Sequence, residues 1–249
     1  MIRIVARCID DPTSKSDAVA VPKSLSLPVS HVPKGTLQDR VYRQLSDLIL
    51  DGGIAPGQTV TIQAVSDAFG VSAMPVREAL QRLTAAKALT VISGRSIGIP
   101  LLSKERLVDL KRVRLEVEGL AGAWAAGRAT RQDLDELELE LQALSTAASS
   151  GDTKAYVRAN RQFHFAIYRI AGSDVLLAII ENLWLQISPY FHLLHASGNY
   201  AVSNREHAEM FKAMRNGDAR SLRAGIVADI EAAAAVLEGC LDEVMTGAA

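Results

Sequence analysis

With 249 residues, 49% of them hydrophobic, the chain has enough apolar side chains for one large core or two ordinary ones, which excludes a disordered protein. No apolar run approaches the ~20 residues needed to cross a bilayer, and the opening stretch mixes Arg3, Arg7, Asp10, Asp11 and Lys15 with too few apolar residues for a secretory signal; a cytoplasmic protein is expected. The net charge of −1 conceals an asymmetry: residues 34–100 hold 7 Lys/Arg against 5 Asp/Glu (+2), residues 101–249 hold 16 against 20 (−4), so the mild basic bias lies where a nucleic acid would be met. Cys8 and Cys240 sit near opposite ends without metal-like spacing and suggest neither a disulfide nor a catalytic thiol.

Residues 1–33 carry Pro12, Pro22, Pro28 and Pro33 with no sustained period and read as a disordered N-terminal extension. From Thr36, a potential cap, Leu37, Val41, Leu45, Leu48 and Ile49 recur at helical spacing until Gly52-Gly53, and Pro56-Gly57 makes a turn. Thr61 caps a short second helix with Ile62, Val65 and Ala68, ended by Gly70; Ser72 caps a third with Val76, Ala79, Leu80 and Leu83 on one face. Helix, glycine turn, helix is the helix-turn-helix arrangement. Pro75 is tolerated because its missing N–H lies in the first turn. Leu89–Ile92 and Ile97–Ile99 alternate around Ser93-Gly94-Arg95-Ser96, which predicts a two-stranded β-hairpin, the wing.

After Pro100 strand patterning ceases, and amphipathic helices are predicted at about 103–127, 131–148, 153–171, 174–195, 204–216 and 218–240. Thr130 with Asp133, Asp152, Ser173, and Ser203 with Glu206 as a capping box support the starts; Gly127, Gly151, Gly172 and Gly217 support the ends. Pro189 should kink the fourth helix. The fold class is thus mainly α: a winged helix-turn-helix of three helices and a hairpin over 34–100, then an all-α bundle of about six helices over 103–240.

A recognition helix needs a small N-terminal residue near phosphate and a long polar one that reaches a base edge, roles that suit Ser72 and Arg77. Arg77 can make the bidentate guanine contact; its plain alternative is a surface ion pair, and Arg43 and Arg82 fit a solvated face. The stretch GVSAMPVREALQRL, Gly70 to Leu83, resembles the helix-turn-helix signature of the GntR family of bacterial regulators. The resemblance implies further backbone or minor-groove contacts from Gln63, Gly94 and Arg95. Ala73 and Met74 depart from the arginine and threonine usual there, and Gln63 stands where an arginine is frequent, which implies a different operator or weaker binding.

The second half, through VRLEVEGLAGAWAA, NRQFHFAIYRIAGS and REHAEMFKAMRNGD, resembles the FCD ligand-binding domain of the FadR-type subgroup. That fold typically holds a divalent metal such as zinc or nickel with an Asp or Asn and three His, beside a small carboxylate effector. The resemblance implies Asn160, His164 and His207 as ligands, with Asp229 where the third histidine should fall, and Arg114 facing the effector. Beside these stand plainer readings: a hydrogen-bonded core histidine for His164, and an intrahelical ion pair with Glu118 for Arg114. Trp124, Trp184, Phe163 and Tyr168 read as packing, His192 and His195 as solvated loop residues. Together these imply a homodimeric, cytoplasmic transcriptional repressor that binds double-stranded operator DNA under control of a small organic acid, with the segment at about 99–104 as hinge. The rivals are a DNA-binding dimer with a vestigial sensor and a metalloenzyme, the latter lacking any nucleophile with an adjacent base.

Overall fold

The structure, a computed structural model, describes residues 36–94, 96–195 and 200–247, so the expected extension over 1–33 and Arg95 lie outside the described residues. Helix α1 (Leu37–Leu50) starts in a capping box: the Asp39 amide donates to Thr36 Oγ1 at 3.2 Å and the Thr36 amide to the Asp39 carboxylate at 3.3 Å. It buries Val41, Leu45, Ile49 and Leu50, while Leu37 and Leu48, expected on that face, stay exposed. Helix α2 (Ile62–Phe69) is capped by Thr61, and Gly70 turns the chain in the left-handed region at φ 62° into α3 (Ala73–Ala85). Helix α3 buries Pro75, Val76, Ala79, Leu80 and Leu83 against α1 and α2.

The expected hairpin forms from β2 (Thr90–Ser93) and β3 (Ser96–Gly98), and β1 (Thr59–Thr61) adds a third antiparallel strand against β3, in the order β1-β3-β2. With three residues and a single half-buried valine, β1 has too little alternation to be seen in sequence, and its pairing partner is distant. Ser72 occupies the N-cap position of α3 without making a capping hydrogen bond. The predicted helix over 174–195 is broken rather than kinked: α7 (Asp174–Ile187) gives way to a 3₁₀ turn (Ser188–Tyr190) and a short α8 (Phe191–His195), because Pro189 has no N–H for the next helical bond.

The remaining helices are α4 (Lys104–Ala126), α5 (Arg131–Ser150), α6 (Thr153–Ile170), α9 (Tyr200–Arg215) and α10 (Ala219–Gly247). Thr130, Asp152 and Ser173 cap α5, α6 and α7 as expected. Ser203 caps nothing: α9 begins earlier, where the Tyr200 ring packs on Tyr156 with centroids 4.7 Å apart and its hydroxyl meets Thr153 at 2.8 Å. Tertiary packing there overrides a local capping signal. Helix α4 lies along α10, with Gly122 set against Ile226; α4 packs on α6, α7 and α9, and α10 packs on α9. The buried face of α4 reads Leu107, Leu110, Arg114, Glu118, Ala121, Ala125, so two charged residues stand in the middle of an otherwise apolar stripe.

Candidate functional site

Two sets of residues concern function, one on the winged helix and one inside the bundle. On the winged helix, α3 turns Ala73, Met74, Arg77 and Gln81 to the outside, since they lie three or four apart, opposite the buried Val76, Leu80 and Leu83. Arg77, Gln81 and Gly94 line one groove between α3 and the wing, and Arg77 makes no ion pair with any described residue. Gly94 sits at the strand turn with φ 51°, a conformation glycine adopts without strain. Ser72 is exposed at the start of α3, its hydroxyl uncommitted to a cap. Gln63 is exposed on α2 and donates to Asp67 at 2.7 Å. By contrast Arg82 pairs with Asp39 at 3.0 Å and stacks on Tyr42, and Arg43 donates to the Asp39 carbonyl. These two arginines hold the domain's own surface together. Gln81, which the sequence gives no separate role, joins the outward row simply by lying one turn after Arg77.

Inside the bundle, α6, α9 and α10 bring His164, His207 and Asp229 together from points far apart in sequence. His164 Nε2 lies 3.1 Å from His207 Nε2 and 3.4 Å from Asp229 Oδ2, and His207 Nε2 lies 3.9 Å from Asp229 Oδ1. Two imidazole nitrogens and a carboxylate around an ion at bond lengths of about 2.0–2.2 Å would stand roughly 3.0–3.5 Å apart; the two separations from His164 fall in that range, and the 3.9 Å between His207 and Asp229 lies just above it. The nitrogen and oxygen donors suit zinc and its neighbours. Burial by itself would raise the Asp229 carboxyl, but the hydrogen bond and charge of His164, with the fields of His207 and Arg114, hold it at about 2. It is therefore anionic, as a ligand must be. Asn160, one helical turn before His164, lines the cleft beside Asp229.

That cleft holds about 650 Å³ of space including its mouth, and Arg114, Trp184, Phe191, Ser203 and Glu206 also line it. Arg114 is buried, and its guanidinium donates to Glu118 through Nε at 2.5 Å and Nη2 at 3.3 Å. Desolvation opposes the arginine's charge, yet the Glu118 carboxylate more than compensates and raises its affinity for the proton. Arg114 therefore forms the intrahelical pair of its plainer reading and also lines the cleft. The pair is fully enclosed, so it differs from a surface bridge worth a few tenths of a kcal/mol. Trp184 both packs and lines the cleft, donating through Nε1 to Glu118 at 3.0 Å. Phe163 and Tyr168 are buried among the helices, whereas Trp124 is 46% exposed and does not belong to the core. Glu206 was passed over in sequence because its acidity matched a cap. Burial, followed by the nearby Asp229, raises its carboxyl above the usual range. Glu118 could have been found as a charge on the apolar stripe of α4.

Comparison with known proteins matches residues 37–99 to the family described as "Bacterial regulatory proteins, gntR family" and residues 109–232 to the FCD domain. The chain is 35% identical over 176 residues to the HTH-type transcriptional regulator McbR of Escherichia coli K12, covering 71% of this chain and 78% of that one. It is 26% identical over 191 residues to the HTH-type transcriptional repressor RspR of the same organism, covering 75% and 83%. The solved structure of E. coli McbR/YncC superposes with a TM-score of 0.76 at 29% identity, over 82% of this chain and 98% of that chain.

Proposed function

Because the chain belongs to the GntR family of bacterial regulatory proteins, and is a DNA-binding transcriptional regulator rather than an enzyme, we propose that it is a homodimeric repressor whose bundle senses a small carboxylate beside a divalent cation. The proposal divides the chain into a DNA-reading part over 34–100 and a sensing and dimerising part over 103–240, acting in the cytoplasm where operator DNA lies. Among the described residues no helix is long and apolar enough to cross a membrane.

In the DNA-reading part Ser72 and Gln63 contact backbone phosphate, Arg77 reads a base edge in the major groove, and Gly94 with Arg95 brings the wing to the minor groove. One subunit serves each half of a pseudo-palindromic operator. In the sensing part Asn160, His164, His207 and Asp229 hold the cation, whose chemistry is to accept a carboxylate oxygen as a Lewis acid. Arg114 orients the same carboxylate from the cleft wall through the guanidinium edge that Glu118 does not occupy. The carrying observation is the convergence of His164, His207 and Asp229 beside a cleft that already contains Arg114. Dimerisation is supported by an apolar row on α4, Val113, Val117, Leu120 and Trp124, at helical spacing and partly open to solvent. Replacing Trp124 by Glu is expected to shift the protein from dimer to monomer in analytical ultracentrifugation.

Metal analysis of the purified protein, followed by operator binding with and without chelator and candidate organic acids, tests the sensor. Bound metal and an acid that changes operator affinity are expected. A metal-free protein that no acid affects would leave the second reading, a DNA-binding dimer with a vestigial sensor. That reading is favoured by one observation: Glu118 already neutralises Arg114.

A further inference from the structure

Glu118, on α4, is fully buried and accepts from three elements at once: from Arg114, from Trp184 on α7, and from the Tyr168 hydroxyl on α6 at 2.6 Å. Tyr168 in turn lies 3.2 Å from His164 Nδ1. A phenol has one proton, and at these distances it goes to the carboxylate, which Arg114 keeps as a strong acceptor. With that proton committed, the Tyr168 oxygen can only accept from His164. Nδ1 of His164 therefore carries a proton, and Nε2 is the nitrogen turned toward His207 and Asp229.

We infer that Tyr168 and Glu118 are positioning residues for the metal centre: they hold the His164 ring and its tautomer with the Nε2 lone pair directed at the cation. Because Glu118 also binds Arg114, the arrangement of the metal ligand and that of the cleft's guanidinium are joined through one carboxylate. This inference rests on the metal-centre reading above, but it also makes a claim about the protein without metal. A histidine ligand whose second nitrogen is held in this way binds a cation more tightly than one left free, and loss of such a partner typically costs 10- to 100-fold in affinity.

The test uses the full-length protein, with two readouts. In metal-free protein, ¹⁵N-resolved NMR of the histidine rings is expected to show His164 Nδ1 protonated, and Tyr168→Phe is expected to abolish that preference. In a Co²⁺ titration followed by its visible absorption, Tyr168→Phe is expected to weaken binding 10- to 100-fold while far-UV circular dichroism stays unchanged. An unchanged tautomer together with unchanged Co²⁺ affinity in Tyr168→Phe would overturn the inference. Should that variant fail to fold, the wild-type protein decides alone: a His164 Nδ1 that carries no proton in the metal-free state overturns it. Failure of the wild type to bind Co²⁺ would remove the metal-centre reading instead, a result distinct from a wrong tautomer.

Discussion

At the scale of single residues, the two sites differ in how their side chains are kept ready. Arg77 is exposed and uncommitted, whereas its neighbours Arg43 and Arg82 are occupied by Asp39. That contrast supports the base-reading role proposed for Arg77. Arg77→Ala is expected to lose about 1–3 kcal/mol of discrimination between operator and unrelated DNA in fluorescence anisotropy, with the dimer unaffected in ultracentrifugation. Equal discrimination by the variant and the wild type would remove the role. Ala73 and Met74 lie on the same outward row and carry no charge, so the surface offers DNA fewer cations at the start of α3 than the family pattern provides. In the bundle the reverse holds: Arg114, Glu118, Tyr168 and His164 are joined in one chain of hydrogen bonds. Burial leaves them little freedom, which is what a preorganised binding site requires.

At the scale of elements, short-range chemistry decides where helices begin. The Thr130 hydroxyl and the Asp133 carboxylate serve each other's backbone at the start of α5. Thr130→Ala is expected to lower stability by about 1 kcal/mol, read as a lower melting temperature. The hydrogen bonds from Thr130 lower the Asp133 carboxyl below its ordinary 3.8. Its contribution is therefore complete above that pH and fades as pH falls through the depressed value of the folded state, giving α5 a weaker start in acid. In the wing the constraint is space. A Cβ on Gly98 would lie 2.5 Å from the Gln58 carbonyl oxygen, which as backbone cannot swing aside. Gly98→Ala is expected to destabilise the winged domain by roughly 1–3 kcal/mol in chemical denaturation. A cost near zero would mean that the β1–β3 edge yields easily.

At the scale of the whole molecule, α6 touches both the bundle site and the winged domain. It carries Asn160 to the cleft and His164 to Asp229, and it carries Arg158 and Arg161 to α1. Arg161 pairs with Asp47 and Asp51 at 3.0 Å each, and Arg158 pairs with Asp51 at 3.2 Å. Arg161 and Asp51 are each about four-fifths buried at the side chain (19% and 20% exposed), so their pair is less screened than an open surface bridge. A ligand that shifts α6 by a fraction of an ångström must move or break these bonds, and only such a difference between states can alter DNA affinity. Arg161→Ala is expected to preserve metal binding and operator binding while shrinking the ratio of operator affinities with and without effector. A full response in that variant would place the coupling elsewhere, such as the Pro100–Ser103 segment, where the Tyr190 hydroxyl donates to the Pro100 carbonyl.

Several features were legible from residues alone because their causes are local or periodic. The helix-turn-helix follows from Thr61, Gly70 and the apolar spacing of α3, and the helical bundle from caps such as Thr130 and Asp152. The two histidines and the aspartate were named only through a family resemblance, since no spacing links positions 164, 207 and 229. Where the sequence reading went astray, a distant partner was responsible: β1 depends on β3, the start of α9 on Tyr156 and Thr153, and the place of Trp124 on which helices fail to cover it. By itself the sequence determined the kind of protein this is, because recognition chemistry on a short helix is written in contiguous residues. The tertiary structure alone decided that Glu118 stands between Arg114 and His164, because a buried carboxylate takes its meaning from donors that three separate helices bring within hydrogen-bond reach.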